Sequence, residues 1–218
     1  MQPPSIEFPV LPDPPGLTPV EEKALSALAA EAVEAECLRA EHPGHPTPST
    51  LPGLQAVVGV FVTIFHREGL RGCLGMVEGH EPLYQAVPRL ARAAASRDYR
   101  FAPVGADELP ELSVEITLLG SLVRLPSDPG VLLAGLDPTV LGVYLCARGR
   151  TGLLLPQVAR RYGWDAGTLL DQVSVKAGLD AGAWRDPGAQ VFGFRARSIE
   201  AVRPGELPRR GHHPVPGR

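Results

Sequence analysis

The stretch LQAVVGVFVTIFHREGLRGCLGM, residues 54–76, decides the fold. From Leu54 to His66 it carries Val, Ile and Phe on both alternating faces, the pattern of a strand covered on both sides. Arg67-Glu68-Gly69 then reads as a turn, and Leu70 to Met76 returns as the partner strand. If the return is regular, parity puts Leu70, Gly72 and Leu74 on the core face and Arg71, Cys73 and Gly75 on the other. A thiol so placed stands beside a guanidinium two residues away, and a nearby positive charge favours thiolate over thiol. Arg71 can also hold a carboxylate or phosphate in two-point contact, while Gly72 and Gly75 leave backbone open to a ligand. The competing reading is structural: free cysteine is among the most buried residue types, and a bulge at the glycines resets parity and turns the thiol inward.

Working outward, the segment before the hairpin begins as an arm, 1–17, within a first nineteen residues that hold seven prolines. Thr18 as cap, Pro19 at the first helical position and Glu21 three residues after the cap predict a helix to about Arg39. Its Leu25, Leu28, Ala32 and Ala35 stripe faces a core. Residues 41–53 read as a Pro-rich loop. After the hairpin, Leu83, Val87, Leu90, Ala91 and Ala94 recur at helical spacing; Pro88 either kinks that helix or starts a new one. Leu112 to Leu119 alternates as a half-buried strand, with Glu115 on the polar side. Val140–Ala147 and Gly152–Leu155 predict a second hairpin about Arg148-Gly149-Arg150. A short helix follows from Pro156, then one capped by Asp165 and stopped at Gly178. Val191–Arg197 is the last strand, and 203–218 reads as a mobile tail. Residues 18–202 form one domain, with a smaller second lobe as an option.

Composition narrows the function. The chain has 218 residues and a net charge of −3, with six acids between Glu21 and Glu41, which argues against a broad nucleic-acid face. Only the arginines of 203–210 keep an RNA-contacting reading open. The three cysteines, Cys37, Cys73 and Cys146, contain no Cys-x-x-Cys pair, and no signal peptide opens the chain, so a reducing cytoplasm is the expectation. The run 54–65 is too short to cross a bilayer. Gly69, Gly72, Gly75 and Gly79 are not followed by Gly-Lys-Ser/Thr, so no nucleotide cofactor is expected. His42-x-x-His45 has metal-ligand spacing in a loop rich in Pro and Gly that aims neither ring, so no metal is expected. A Gly-bearing edge strand can pair with a copy of itself, which keeps a homodimer open.

Residues 70–75 (Leu-Arg-Gly-Cys-Leu-Gly), 97–103 (Arg-Asp-Tyr-Arg-Phe-Ala-Pro), Glu108-Leu109-Pro110 with Leu112-Ser113-Val114-Glu115, residues 152–159 and Lys176-Ala177-Gly178-Leu179 with Trp184 resemble the AMMECR-one domain family. In bacteria and archaea this is the family called AmmeMemoRadiSam system protein A, and the match runs from about Ala24 to Glu200. The resemblance implies a cytosolic or nuclear α+β domain, a mixed or antiparallel sheet flanked by helices with a smaller second lobe, of unsettled activity and associated with a Memo-like protein and a radical SAM protein. It maps Arg71 and Cys73 onto the family's Leu-Arg-Gly-Cys motif, and Asp98, Arg100 and Phe101 onto its Arg-Asp-x-Arg-Phe motif. Glu115 matches an acidic position and Lys176 the lysine before Ala-Gly-Leu. Met76 where the family usually has Thr, Ser174 where it often has Cys, and Pro88 depart from the pattern.

The resulting candidate site has Cys73 as nucleophile, Arg71 beside it and Glu115 as general base, with Gly72, Gly75, Asp98, Arg100, Phe101 and Lys176 contacting a small anionic or carbonyl ligand. Each has a plainer alternative. Asp98 and Arg100 suit an ion pair holding a loop, Lys176 the negative end of a helix dipole, and Glu115 an exposed surface acid. A non-catalytic module that docks a partner is the rival function.

Overall fold

The computed structural model describes residues 7–40 and 51–204. The predicted loop histidines His42 and His45 and nearly all of the tail lie outside them. Elements follow in the order α1 (Pro19–Cys37), β1 (Val60–His66), β2 (Gly69–Met76), α2 (Leu83–Ser96), β3 (Leu112–Leu119), β4 (Val123–Arg124), α3 (Pro129–Gly135), β5 (Leu141–Ala147), β6 (Arg150–Leu154), α4 (Pro156–Tyr162), α5 (Ala166–Lys176) and β7 (Gln190–Val202). Helices and an antiparallel sheet make the chain α+β. It divides into two compact units, one of residues up to 15 with 118–197, the other of 16–117 with the segment from 198.

In the unit of 16–117, α1 starts where its cap dictates. The Thr18 hydroxyl accepts from the Glu21 N–H at 3.3 Å, and the Glu21 carboxylate accepts from the Thr18 N–H at 2.8 Å. Leu25, Leu28, Ala29, Ala32 and Val33 are buried along one stripe. Each leucine removed from water there is worth roughly 1.5–3 kcal/mol. The strands run in the order β2-β1-β3-β7, and α2 packs on α1, β1 and β2. One helix runs through Pro88, which is buried. Its missing N–H removes one intrahelical bond, to the Tyr84 carbonyl, and the rest of the ladder holds.

The strand expected from Leu54 begins only at Val60. Pro52–Gln55 instead form a 3₁₀ turn, because Pro52 has no N–H to give a ladder and the Gly53 N–H is taken by Glu21 at 2.6 Å. The Ala56 carbonyl likewise bonds the Leu83 N–H at the start of α2.

The hairpin forms as read, with a register that shifts between Ile64 and Phe65: Ile64 pairs with Gly72 and Phe65 with Leu70. Arg71 is therefore the extra residue of a bulge. Gly72 and Leu74 share the buried face of Ile64 and Val62, as parity requires. Leu70 is thrown to the opposite face and is 43% exposed, which corrects its expected core position. The bulge falls before Gly72, so Cys73 keeps its place on the face away from that core, opposite Thr63.

In the other unit the strand order is β7-β5-β6, with β4 on β7. The β5–β6 hairpin turns at Arg148-Gly149, both with positive φ. The Asp165 carboxylate accepts from the Thr168 N–H at 2.7 Å, and α5 stops at Gly178 (φ 73°), where the Leu179 N–H reaches the Ser174 carbonyl. Residues 7–15 carry no helix or strand, and Leu11 is buried in this core with Trp184 and Leu132. Helix α3, unannounced by periodicity, is capped by Asp128 before Pro129 in the same manner as α1. The last strand runs on past Arg197 to Val202.

Candidate functional site

Cys73 sits on β2, half-buried. Its Sγ accepts a hydrogen bond from the Thr63 hydroxyl at 3.3 Å across the hairpin. Its backbone is clamped from the loop after α2: the Cys73 N–H donates to Asp98 Oδ2 at 2.9 Å, and Arg100 Nη2 donates to the Cys73 carbonyl at 3.2 Å. Asp98 and Arg100 thus supply one acceptor and one donor to a strand residue, as a neighbouring strand would.

The clamp is held by its own ion pair. Arg100 Nε and Nη2 both reach the Asp98 carboxylate, at 2.8 and 2.6 Å. The Asp98 side chain is 2% exposed. The Arg100 guanidinium, with help from the Cys73 and Arg100 N–H groups, overrides burial and pulls the Asp98 carboxyl down to about 2. Binding through the Nε–Nη2 edge leaves Nη1 on the far side of the guanidinium from Asp98. The Phe101 ring lies 5.4 Å beneath the Arg100 guanidinium.

Arg71 points elsewhere. Its Nε and Nη2 bind Glu108 at 2.7 and 2.9 Å, Nη1 reaches the Ala102 carbonyl at 2.8 Å, and Nη2 also the Pro103 carbonyl at 3.3 Å. The pair holds Glu108 below the usual carboxylate range. Two residues of sequence therefore separate Cys73 from an arginine whose three nitrogens are all committed to the 102–108 loop. The bulge is the cause, because it swings the Arg71 side chain out of alternation.

Other candidates are distributed. Gly72 faces α2 with no room for a side chain: a Cβ there meets the Ala94 carbonyl. Gly75 lies under the Phe61 ring. Glu115 is two strands from β2, roughly 10 Å laterally at ordinary strand spacing, and its Oε1 accepts from Ser198 Oγ at 3.2 Å and Thr117 Oγ1 at 3.4 Å. Lys176 belongs to the other unit, in the last turn of α5. His66 pairs with Glu111 at 3.3 Å near the turn, three residues along β1 from Thr63, and His80 is exposed. Ser174 is fully buried and bonds back to the Leu170 carbonyl at 2.9 Å. Met76 lies opposite Val60.

Among the described residues no group of three His, Cys, Asp or Glu stands together for a metal, and no helix is long and apolar enough to cross a membrane. Sequence reasoning missed Thr63 and the role of Glu108. Thr63 had a signal, as the one hydroxyl among Val62, Ile64 and their neighbours; Glu108 had none beyond its place in a motif.

An α+β chain with a cysteine clamped on a hairpin strand defines the class. The AMMECR1 family model matches residues 26–199, and the chain belongs to that family. It is 37% identical to protein TK0174 of Thermococcus kodakarensis over 83% of this chain and 90% of that one. A protein of Methanothermobacter thermautotrophicus is 39% identical over 64% of this chain and 73% of its own. With one from Aeropyrum pernix the match, 37% identical, spans 62% of this chain and 61% of the relative. Among solved structures, the uncharacterized protein PH0010 from Pyrococcus horikoshii superposes with a TM-score of 0.78 at 29% identity, covering 86% of this chain and 98% of that one.

Proposed function

We propose that the chain is a ligand-binding or catalytic protein centred on the Cys73 thiol, with Arg100 as the cation that meets a small anionic or carbonyl ligand. The supporting observation is the clamp: a hydroxyl donates to the sulfur, and a guanidinium grips the same residue's carbonyl on a half-buried face. A hydroxyl donor and a nearby positive charge both favour the thiolate, the nucleophilic form. Arg71 acts at one remove, by fixing the 102–108 loop. The work of this site belongs to a pathway shared with Memo-like and radical SAM proteins, as the family resemblance implies, in the cytoplasm.

The test is the rate of iodoacetamide alkylation at pH 7, followed peptide by peptide. Cys73 reacts faster than a free model thiol, and Arg100→Gln slows it. Cys37 is the internal control: burial first, then Glu108 and Glu36, push its thiol up to about 11, so it stays unmodified in the folded protein. Cys73 reacting no faster than the model thiol, or indifferent to Arg100→Gln, removes the thiol-centred reading. The rival, docking of a Memo-like or radical SAM partner without chemistry, draws on Tyr99, which is 94% exposed between Asp98 and Arg100. Tyr99→Ala abolishing co-purification while Cys73→Ser leaves it intact selects that rival.

A further inference from the structure

The segment before α1 is attached to the unit of 118–197 by side chains alone. None of residues 7–15 shares a backbone hydrogen bond with a described residue. Leu11 is buried in the core of that unit and Phe8, three residues earlier, packs half-buried against it, while Val10 between them is 94% exposed. Asp13 meets Arg195 at 3.5 Å, an exposed pair that adds little. Glycines make the seats of these residues. A Cβ at Gly135 would meet the Phe8 ring, one at Gly193 the Leu11 side chain, and one at Gly120 the Pro12 carbonyl. The three come from the end of α3, from β7 and from the β3–β4 connection, and what they share is the arm lying on them. Pro9, Pro12, Pro14 and Pro15 each fix a backbone angle in advance, so the arm loses less freedom on docking than an ordinary peptide. At its far end Gly16 is exposed, with open space around its Cβ position, so the chain can redirect there. A segment held by two anchors and no ladder lies at the low end of local stability.

We propose that residues 7–15 are an exchangeable strap, and that the groove over Gly120, Gly135 and Gly193 also takes the strap of a second copy of this chain. Each copy carries both the segment and its seat, so mutual exchange about Gly16 closes as a two-fold dimer that keeps the Phe8 and Leu11 contacts of the monomer. A tethered strap stands at an effective concentration on the order of 1 mM toward its own groove. The monomer therefore dominates in dilute solution, and exchange grows with protein concentration. The groove and Cys73 belong to different units, so the strap is independent of the thiol site.

Two full-length variants test this by complementation. Leu11→Ala loosens the strap and leaves the groove, whereas Gly120→Ala combined with Gly135→Ala closes the groove and leaves the strap. Each alone sediments as a monomer. Mixed in equal amounts they form a one-to-one dimer, and adding Leu11→Ala to the groove-closed chain abolishes it. A mixture that stays monomeric overturns the proposal. A measurement on the wild type covers a variant that fails to fold. A synthetic peptide of residues 7–15, added at about 5 mM to exceed the tethered concentration, displaces the resident strap, and the Val10 and Leu11 amide resonances move to those of a free chain. The same peptide carrying Leu11→Ala moves them about fivefold less or weaker still, having lost its buried anchor. Resonances that stay in place, or that move equally with both peptides, overturn the assignment.

Discussion

Asp98→Asn separates the clamp from mere proximity. In the wild type the Asp98 carboxylate accepts from the Cys73 N–H, the Arg100 N–H, and Arg100 Nε and Nη2, all between 2.6 and 3.2 Å. Asparagine keeps one oxygen and turns an amide NH₂ toward donors, so at least one contact becomes donor facing donor. The fall of the carboxyl from an ordinary 3.8 to about 2 corresponds to about 2 kcal/mol of folding stability. The folded-state value is depressed, so this stability is complete above pH 5, and is lost as pH falls through 3.8 toward 2. About half of it remains at pH 3. Urea unfolding of both proteins at pH 7 gives a gap of about 2–3 kcal/mol, which narrows by about 1 kcal/mol at pH 3. A gap under about 0.5 kcal/mol at neutral pH, or one that does not shrink on acidification, refutes the account of Asp98 as a charged clamp.

Two further outcomes follow from the same geometry. Gly72→Ala drives a methyl into the Ala94 carbonyl, so β2 and α2 must part by on the order of 1 Å. That overpacking costs about 3 kcal/mol and lowers the melting temperature by about 10 °C in a scanning calorimeter, whereas Gly188→Ala, with open space around it, barely moves it. Arg71→Ala frees Glu108 and the Ala102 and Pro103 carbonyls, at about 2 kcal/mol. Hydrogen exchange of the 102–108 amides rises, and Cys73 alkylation changes less than it does in Arg100→Gln; the reverse order returns Arg71 to the sulfur.

Legibility in the sequence followed the range of the interactions. Thr18-Pro19-Glu21, Asp165 and Gly178-Leu179 are caps whose donors and acceptors lie within a few residues, and each forms as read. The hairpin was legible for the same reason. Leu54–Gly59 was not, because Glu21, more than thirty residues away, captures the Gly53 N–H. The placement of Cys73 on the outer face was legible from alternation, but its charged neighbour was not. Arg71 is two residues away in sequence and is aimed at Glu108; Arg100, twenty-seven residues on, grips Cys73.

The sequence by itself determined the capped helices and the two hairpins, the family and the residue types of the candidate site. Those depend on backbone preferences, periodicity and ordered motifs, all of which act along the chain. Only the tertiary structure decided that Arg71 serves Glu108 while Arg100 grips Cys73, and that a bulge at Arg71 splits its direction from that of Cys73. A one-residue change in pairing register reverses which way a side chain points, and register is set by partners on other strands and helices.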